Sequence, residues 1–411
     1  MFFIYNALGL IFILFSPLIF FVRIFLGKED PKRFLEKFCI YSNKLKIKKT
    51  VWFHGASVGE VLSVLPIIKS LEKNKKIKKI LLTSSTTSSA LIFKKYNFKK
   101  TIHLYFPIDT NYFTYKFIKY WNPQVAIFID SEIWPNMIKN LYLQKIPIVL
   151  LNGRITEKSF SRWKKFQNFS KKIFGKISIA LPQNAETSNY LKILGVKKIK
   201  IAGNIKYFGQ KNNISKKNIG NFFKKRLIFC AASTHYNEEI LIGKIHKKIK
   251  LKYKNFLTII VPRHINRSIS IVNDLKNIGL KIVTRSSNKK ITQDTDIYLV
   301  DTYGEALNFY KLSKITFVGG SLISHGGQNP LEPARTGNFI LHGPNTQNFH
   351  EVYNMLSRLK ISTKVNNANQ IEKIVIKNIK FKQPLNVIQK LNLKGNTILK
   401  KNLNEINKYI K

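Results

Sequence analysis

Short apolar runs, each long enough for one β-strand, recur along this chain with turn residues and helix-like stretches between them. A first series occupies residues 51–53, 80–82, 125–129, 148–151 and 177–181, and a second occupies residues 227–230, 257–261, 281–283, 297–300, 315–318 and 339–341. Near-continuous apolar strands are buried on both faces, and strands that alternate with helices build a parallel sheet covered by those helices. No period of roughly 20 to 50 residues marks a solenoid. At 411 residues the chain exceeds what one core usually supports. Two Rossmann-like halves are therefore expected, joined by the polar Lys-, Asn- and Gly-rich segment 207–221. The stretch from about residue 366 onward has helical spacing and no recognisable site, so packing is its expected role.

Residues 2–26 are nearly all apolar, interrupted mainly by Asn6, Ser16, Pro17 and Arg23. About twenty such residues span a bilayer. A cleaved signal would carry its positive charge before the apolar stretch, whereas here Arg23, Lys28, Lys32, Arg33 and Lys37 follow it. The segment reads as an anchor that leaves the body in the cytoplasm. Its alternative is a helix lying in the interface or docked on the domain, which Pro17 favours.

The formal net charge is +50, from 71 Lys and Arg against 21 Asp and Glu. Lysine is scattered through every segment and alternates with isoleucine, the mark of solvated faces and of an AT-rich coding bias, not of a nucleic-acid surface with clustered cations and stacking aromatics. The residual excess favours an acidic membrane surface. The two cysteines, Cys39 and Cys230, are far apart and lack metal-ligand spacing, so no metal site or disulfide framework is implied.

In open parallel sheets ligands bind beyond the carboxyl ends of the strands. The loop HGASVGE, residues 54–60, follows the first run and precedes an apolar helical stretch, which puts Glu60 at a helix N-terminus as a general base or a capping acid. Asp130, Glu132 and Trp134 follow the run 125–129, where one acid would face the cleft while the other caps a helix; Glu157, after the next run, reads as a cap. Lys206, in the segment GNIK, is either a surface lysine or a neutraliser of an anionic ligand.

In the second half, residues 317–333 (FVGGSLISHGGQNPLEP) read as strand, glycine-rich loop and helix start, a phosphate cradle in which Glu332 accepts hydrogen bonds. Ala232, Ser233, Thr234 and His235 follow one run, and Pro262, Arg263 and His264 follow the next. Arginine is scarce here, and its guanidinium grips phosphate bidentately. With Tyr303, Gly304 and Glu305 after a further run, these loops suit a nucleotide.

Taken in order, the motifs HGASVGE, FPIDT, SEIWPN, NGRIT, LPQNAET, GNIKY, ASTHYNEE, VPRH, DTYGE and GGSLISHGGQNPLEPA with HGPNTQNF, behind an N-terminal anchor, resemble the 3-deoxy-D-manno-octulosonic acid (Kdo) transferases of lipopolysaccharide synthesis. The resemblance covers nearly the whole chain. It implies an α/β fold of the GT-B glycosyltransferase class: a membrane anchor over residues 1–26, then two Rossmann-like domains facing a cleft, the acceptor-binding one over 27–210 and the nucleotide-sugar-binding one over 222–411. It further implies inverting transfer of Kdo from CMP-Kdo to a lipid A precursor (lipid IVA), without metal or cofactor, on the cytoplasmic face of the inner membrane among anionic lipids. By this resemblance Glu60 is the general base, and Asp130 and Lys206 stabilise the transition state. Pro262, Arg263, Tyr303, Gly304, Glu305, Asn329, Pro330, Leu331 and Glu332 bind CMP. Two positions depart from the family pattern. Asp130 stands where a glutamate is usual, which leaves Asp130 and Glu132 as alternatives for the acid, and Phe208 replaces an acid at the start of the linker. The alternative enzyme reading is another membrane-associated GT-B transferase that uses a UDP-sugar.

Overall fold

The computed structural model describes residues 1–41, 50–208, 223 and 226–410. Most of the expected linker, from residue 209 to 221, lies outside the described residues. The chain divides into two compact units, Met1–Phe208 with Lys394–Lys411, and Gly209–Leu393.

The first unit is built on a parallel sheet of β1 (Thr50–His54), β2 (Ile80–Ser84), β3 (Thr101–Tyr105), β4 (Pro123–Ile129), β5 (Ile148–Gly153) and β6 (Ile179–Pro182), in the order β3-β2-β1-β4-β5-β6. Every residue of β1, β2, β5 and β6 is buried, as a strand covered by helices on both faces requires. Trp52, Phe117, Phe128 and Phe174 form the bulk of one side of this core. The order winds outward from β1 in one direction and from β4 in the other, so the loops leaving those two strands part and open a crevice.

In this sheet β3, TIHLY, is the strand the apolar pattern does not announce. It has a single neighbour, is only partly buried, and alternates apolar with polar residues. Its free edge is closed from the segment after the N-terminal helix: Glu36 accepts the Tyr105 N–H at 2.9 Å, and Arg33 donates to the His103 carbonyl at 2.7 Å. Such covering spares an edge strand from pairing with another chain.

The N-terminal helix, Phe2–Phe25, is long and apolar enough to cross a membrane. It is also docked on the first unit by one stripe. Phe2 meets Phe169 edge-on at 5.0 Å, the Tyr5 hydroxyl donates to Asp109 at 2.7 Å, and Phe20 packs against Phe34 and Phe38. The opposite face is bare hydrocarbon: Phe3 is 84% exposed, Leu14 75% and Phe25 85%.

The second unit repeats the architecture with β7 (Leu227–Thr234), β8 (Phe256–Pro262), β9 (Ile282–Thr284), β10 (Ile297–Leu299), β11 (Ile315–Val318), β12 (Phe339–His342) and β13 (Ser362–Lys364), in the order β13-β12-β11-β7-β8-β10-β9. Its winding reverses between β7 and β11. All pairings are parallel. Phe229, Phe256 and Phe317 fill the core beneath the covering helices. At the amino ends of β8 and β10, Arg226 donates to five carbonyls, those of Asn255, Phe256, Thr292, Gln293 and Thr295. The last helix, Leu385–Asn407, ends within the first unit, where Ile398 lies against Gly203 and Glu405 pairs with Lys200 at 2.8 Å.

Candidate active site

The loop after β1 turns directly into the helix Val58–Leu71, and Glu60 occupies its third position. Ser57 caps the helix, with its hydroxyl accepting from the Glu60 N–H, while the Glu60 carboxylate accepts from Ala56 N at 2.6 Å and, more weakly, Ser57 N at 3.4 Å. The capping alternative for Glu60 is thus realised, as a reciprocal capping box. Both hydrogen bonds fall on Oε2, and no bond reaches Oε1 among the described residues. Burial, then the charges of Asp130 and Glu132, push the carboxyl up to about 7 against the pull of the two N–H groups. Gly55 permits this arrangement: a Cβ there would stand 3.0 Å from Glu60 Cβ and 3.1 Å from Ile129 Cδ1.

Across the switch point, β4 and β5 each end on a left-handed residue, Asp130 and Asn152, both at φ 56°. Non-glycine residues visit that region rarely and at a cost. The return is a pair of side chains turned toward each other: the Asn152 amide donates to Asp130 Oδ1, and Asn152 Oδ1 accepts from Ile205 N at 2.9 Å. Lys206 then completes the group, its ammonium 2.9 Å from Asp130 Oδ2 and its side chain only 17% exposed. Lys206 is therefore no surface lysine. Glu132 is engaged elsewhere, with one oxygen 3.1 Å from His54 Nε2 and accepting from the Trp134 indole at 2.8 Å. The two acids divide: Asp130 pairs with the lysine, and Glu132 braces His54 and Trp134.

Neither acid caps a helix, contrary to the sequence expectation. The helix Pro135–Leu143 begins on Trp134 without a side-chain cap of its own. The buried carboxylate of Asp109, in the segment FPIDT, accepts its first free N–H groups, Asn136 at 3.1 Å and Met137 at 2.8 Å. Glu157 is not a cap either; Thr156 holds that position in the helix Glu157–Lys165, and Glu157 is the acid of its first turn.

In the second unit, the residues singled out in sequence lie after β8, β10 and β11, on the carboxyl edge of one sheet. Pro262 is buried and Arg263 exposed, its N–H tied to the Thr234 carbonyl at 3.0 Å. Glu305 accepts both a bidentate pair from Arg285, at 3.2 and 3.1 Å, and the Thr302 hydroxyl. Tyr303 and Gly304 form the turn before it. Asn329 Oδ1 accepts from Leu331 N at 3.1 Å and Pro330 precedes the short helix Leu331–Arg335, in which Leu331 is buried and Glu332 exposed.

The cradle reading of the glycine-rich loop needs correction at its first glycine pair. Gly320 N and Leu322 N already donate to the buried carboxylate of Glu238, at 2.8 and 3.3 Å, and His235 N joins them at 2.9 Å. A protein acid, not a ligand, occupies these N–H groups. Glu238 lies in the segment THYNEE, and its role was hidden because two of its three partners, Gly320 and Leu322, lie more than eighty residues downstream.

Two covered parallel sheets, each with the candidate side chains at its carboxyl edge, define a glycosyltransferase fold of the GT-B class. Solved structures of this fold include the UDP-GlcNAc 2-epimerase of Neisseria meningitidis, similar with a TM-score of 0.56 and 13% identity over 88% of this chain and 99% of that one. Residues 32–208 match the family model described as 3-deoxy-D-manno-octulosonic-acid transferase (kdotransferase). The 3-deoxy-D-manno-octulosonic acid transferase of Haemophilus influenzae is 32% identical over 91% of this chain and 89% of its own length, and that of Rickettsia bellii is 31% identical over 86% and 85%. The chain belongs to the 3-deoxy-D-manno-octulosonic acid transferase family and is a glycosyltransferase.

Proposed function

We propose that this enzyme transfers Kdo from CMP-Kdo to a phosphorylated lipid A precursor, with the first unit binding the acceptor and the second the nucleotide sugar. The observation that carries the reading is Glu60, a carboxylate poised at about 7 with one oxygen anchored by backbone N–H groups. A base of that strength is half-ionised near neutral pH and suited to removing a proton from an acceptor hydroxyl, worth about 10² to 10⁴ in rate. The hydroxyl then attacks the anomeric carbon with inversion as the CMP phosphate departs. The Asp130–Lys206 pair holds an ammonium beside the crevice, where it offsets developing negative charge.

Pro262, Arg263, Tyr303, Gly304, Glu305, Asn329, Pro330, Leu331 and Glu332 are assigned to CMP. Their common edge and the bidentate reach of Arg263 support that assignment. The helix Phe2–Phe25 is assigned to the cytoplasmic face of the inner membrane, as the single N-terminal anchor, with its bare face in the lipid and the lysine-rich body against anionic headgroups.

The test is incubation of the purified full chain with CMP-Kdo and a tetraacylated lipid A precursor, followed by mass measurement of the lipid. Addition of whole Kdo residues is the expected result. An unmodified acceptor, with UDP displacing CMP in competition binding, overturns the reading.

A further inference from the structure

The second sheet reverses its winding between β7 and β11, so the loops leaving those strands diverge and leave the crevice in which open parallel sheets hold ligands. His235 stands at that point. A register shift between Ala232 and Thr234, with Ser233 at φ 55°, turns the end of β7 and buries the imidazole. Its Nδ1 is 3.0 Å from the Ser233 carbonyl oxygen, so Nδ1 carries the proton and donates, and Nε2 presents a lone pair. That Nε2 is buried without a hydrogen-bond partner among the described residues. An orphaned buried acceptor costs about 1 to 3 kcal/mol, and it needs a reason.

The surroundings supply one. The ring of His325, in the exposed loop after β11, lies 4.3 Å from that of His235, and the ring of His264, after β8, lies 5.9 Å away. Arg263 adjoins His264. The loop can lie over the imidazole because residue 320 is glycine, at φ 65°; a Cβ there would come within 3.0 Å of His235 Cε1. The acid nearby, Glu238, is 3.9 Å from Nδ1, and its carboxylate is committed to three backbone N–H groups. Burial first, then the positive potential of His325, His264 and Arg263, hold His235 down at about 4, so it is neutral at physiological pH. An oxyanion placed among these groups reverses that balance: it favours the imidazolium, and the protonated Nε2 then donates to the anion. The three rings are not gathered as metal ligands, since among the described residues no group of three or more His, Cys, Asp or Glu is placed to hold an ion.

We propose that His235 and His325 form a proton-linked oxyanion site at the switch point of the second sheet, which takes up one proton from solvent when an anionic oxygen of the donor binds beside Arg263. The proposal rests on the assignment of CMP to this unit. The anionic oxygen belongs to the phosphate or to the carboxylate of the sugar acid. With the phosphate, the proton acquired at Nε2 compensates negative charge as the bond from the anomeric carbon to the phosphate oxygen breaks and returns to solvent when CMP leaves; with the carboxylate, it holds the sugar acid and returns to solvent when the glycosylated product leaves.

The test is titration calorimetry of the full chain in detergent with CMP, CMP-Kdo and cytidine. Binding heats are compared in two buffers of different ionisation enthalpy at about pH 7, where free CMP is largely dianionic and the free imidazole is neutral, while a bound anion that lifts its pKa to about 7 half-protonates it. The wild type is expected to take up about half a proton with CMP if the phosphate is the ligand, with CMP-Kdo only if the carboxylate is, and none with cytidine. His325→Gln, an exposed and structurally benign change, and His235→Gln should each reduce the uptake severalfold and weaken binding about tenfold. Uptake that is absent in the wild type, or unchanged in His325→Gln, overturns the proposal. Failure of CMP and CMP-Kdo to bind the wild type at all overturns the donor assignment instead.

Discussion

At the scale of single residues, Glu60 joins two functions that pull in opposite directions: its carboxylate completes a helix cap and is kept close to neutral charge by burial beside two acids. For Glu60→Gln we expect unchanged CMP affinity and a fall in kcat of about 10² to 10⁴, read by radiolabelled sugar transfer. In the wild type, kcat/KM should rise with pH through an ionisation near 7. The sign for stability is the reverse. The folded-state pKa lies above the unfolded one, so the folded state retains its proton longer and loses stability as pH rises from the ordinary carboxylate range through about 7. Thermal unfolding should find Glu60→Gln more stable than wild type at alkaline pH, with the gap closing in mild acid, because the amide still accepts from Ala56 and does not ionise. Asn152 offers a second check. Alanine at its left-handed position loses the bonds to Asp130 and Ile205 N and strains the backbone, at a cost of about 2 to 4 kcal/mol in urea unfolding.

At the scale of elements, the strands were legible wherever a helix covers both faces, because burial on two sides demands an unbroken apolar run. The runs at 125–129 and 315–318 coincide with the ends of β4 and with β11. β3 and β13 escaped for the same reason in reverse: each is an edge strand with one neighbour, and TIHLY and STK carry too little apolar content to stand out. Glu60 and Asp130 stand out as candidates because turn residues and strand ends flag them, whereas Lys206 is singled out from many lysines only by the family resemblance. Asp109, Asn152, Glu238, Arg226 and Arg285 were not assigned their partners, since each contact joins segments distant in sequence and periodicity reports nothing about such pairs. Arg226 shows how much such a contact holds. Arg226→Met frees five carbonyls at the amino edge of β8 and β10, and we expect a loss of about 2 to 4 kcal/mol in the unfolding of the second unit, followed by hydrogen exchange of Leu257 and Ile259. Asp109→Ala should likewise fray the helix Pro135–Leu143, seen as faster exchange at Asn136 and Met137.

At the scale of the whole molecule, the N-terminal helix is two-faced: a docked stripe on the first unit and a bare apolar face. Replacing Phe3, Leu14 and Phe25 with serine should abolish flotation with liposomes of mixed anionic lipid, while circular dichroism and CMP binding stay as in the wild type. Exchange of the docking contact Tyr5 for phenylalanine should leave flotation intact. Because the helix is clamped to the same unit that carries Glu60, the reactive oxygen is expected to sit at a height above the acyl layer fixed by one rigid body. With Glu60 as the base and the helix in the lipid, as proposed, the fold would act as a depth gauge, presenting the carboxylate to hydroxyls at one level of a headgroup and passing over those held nearer to or farther from the lipid.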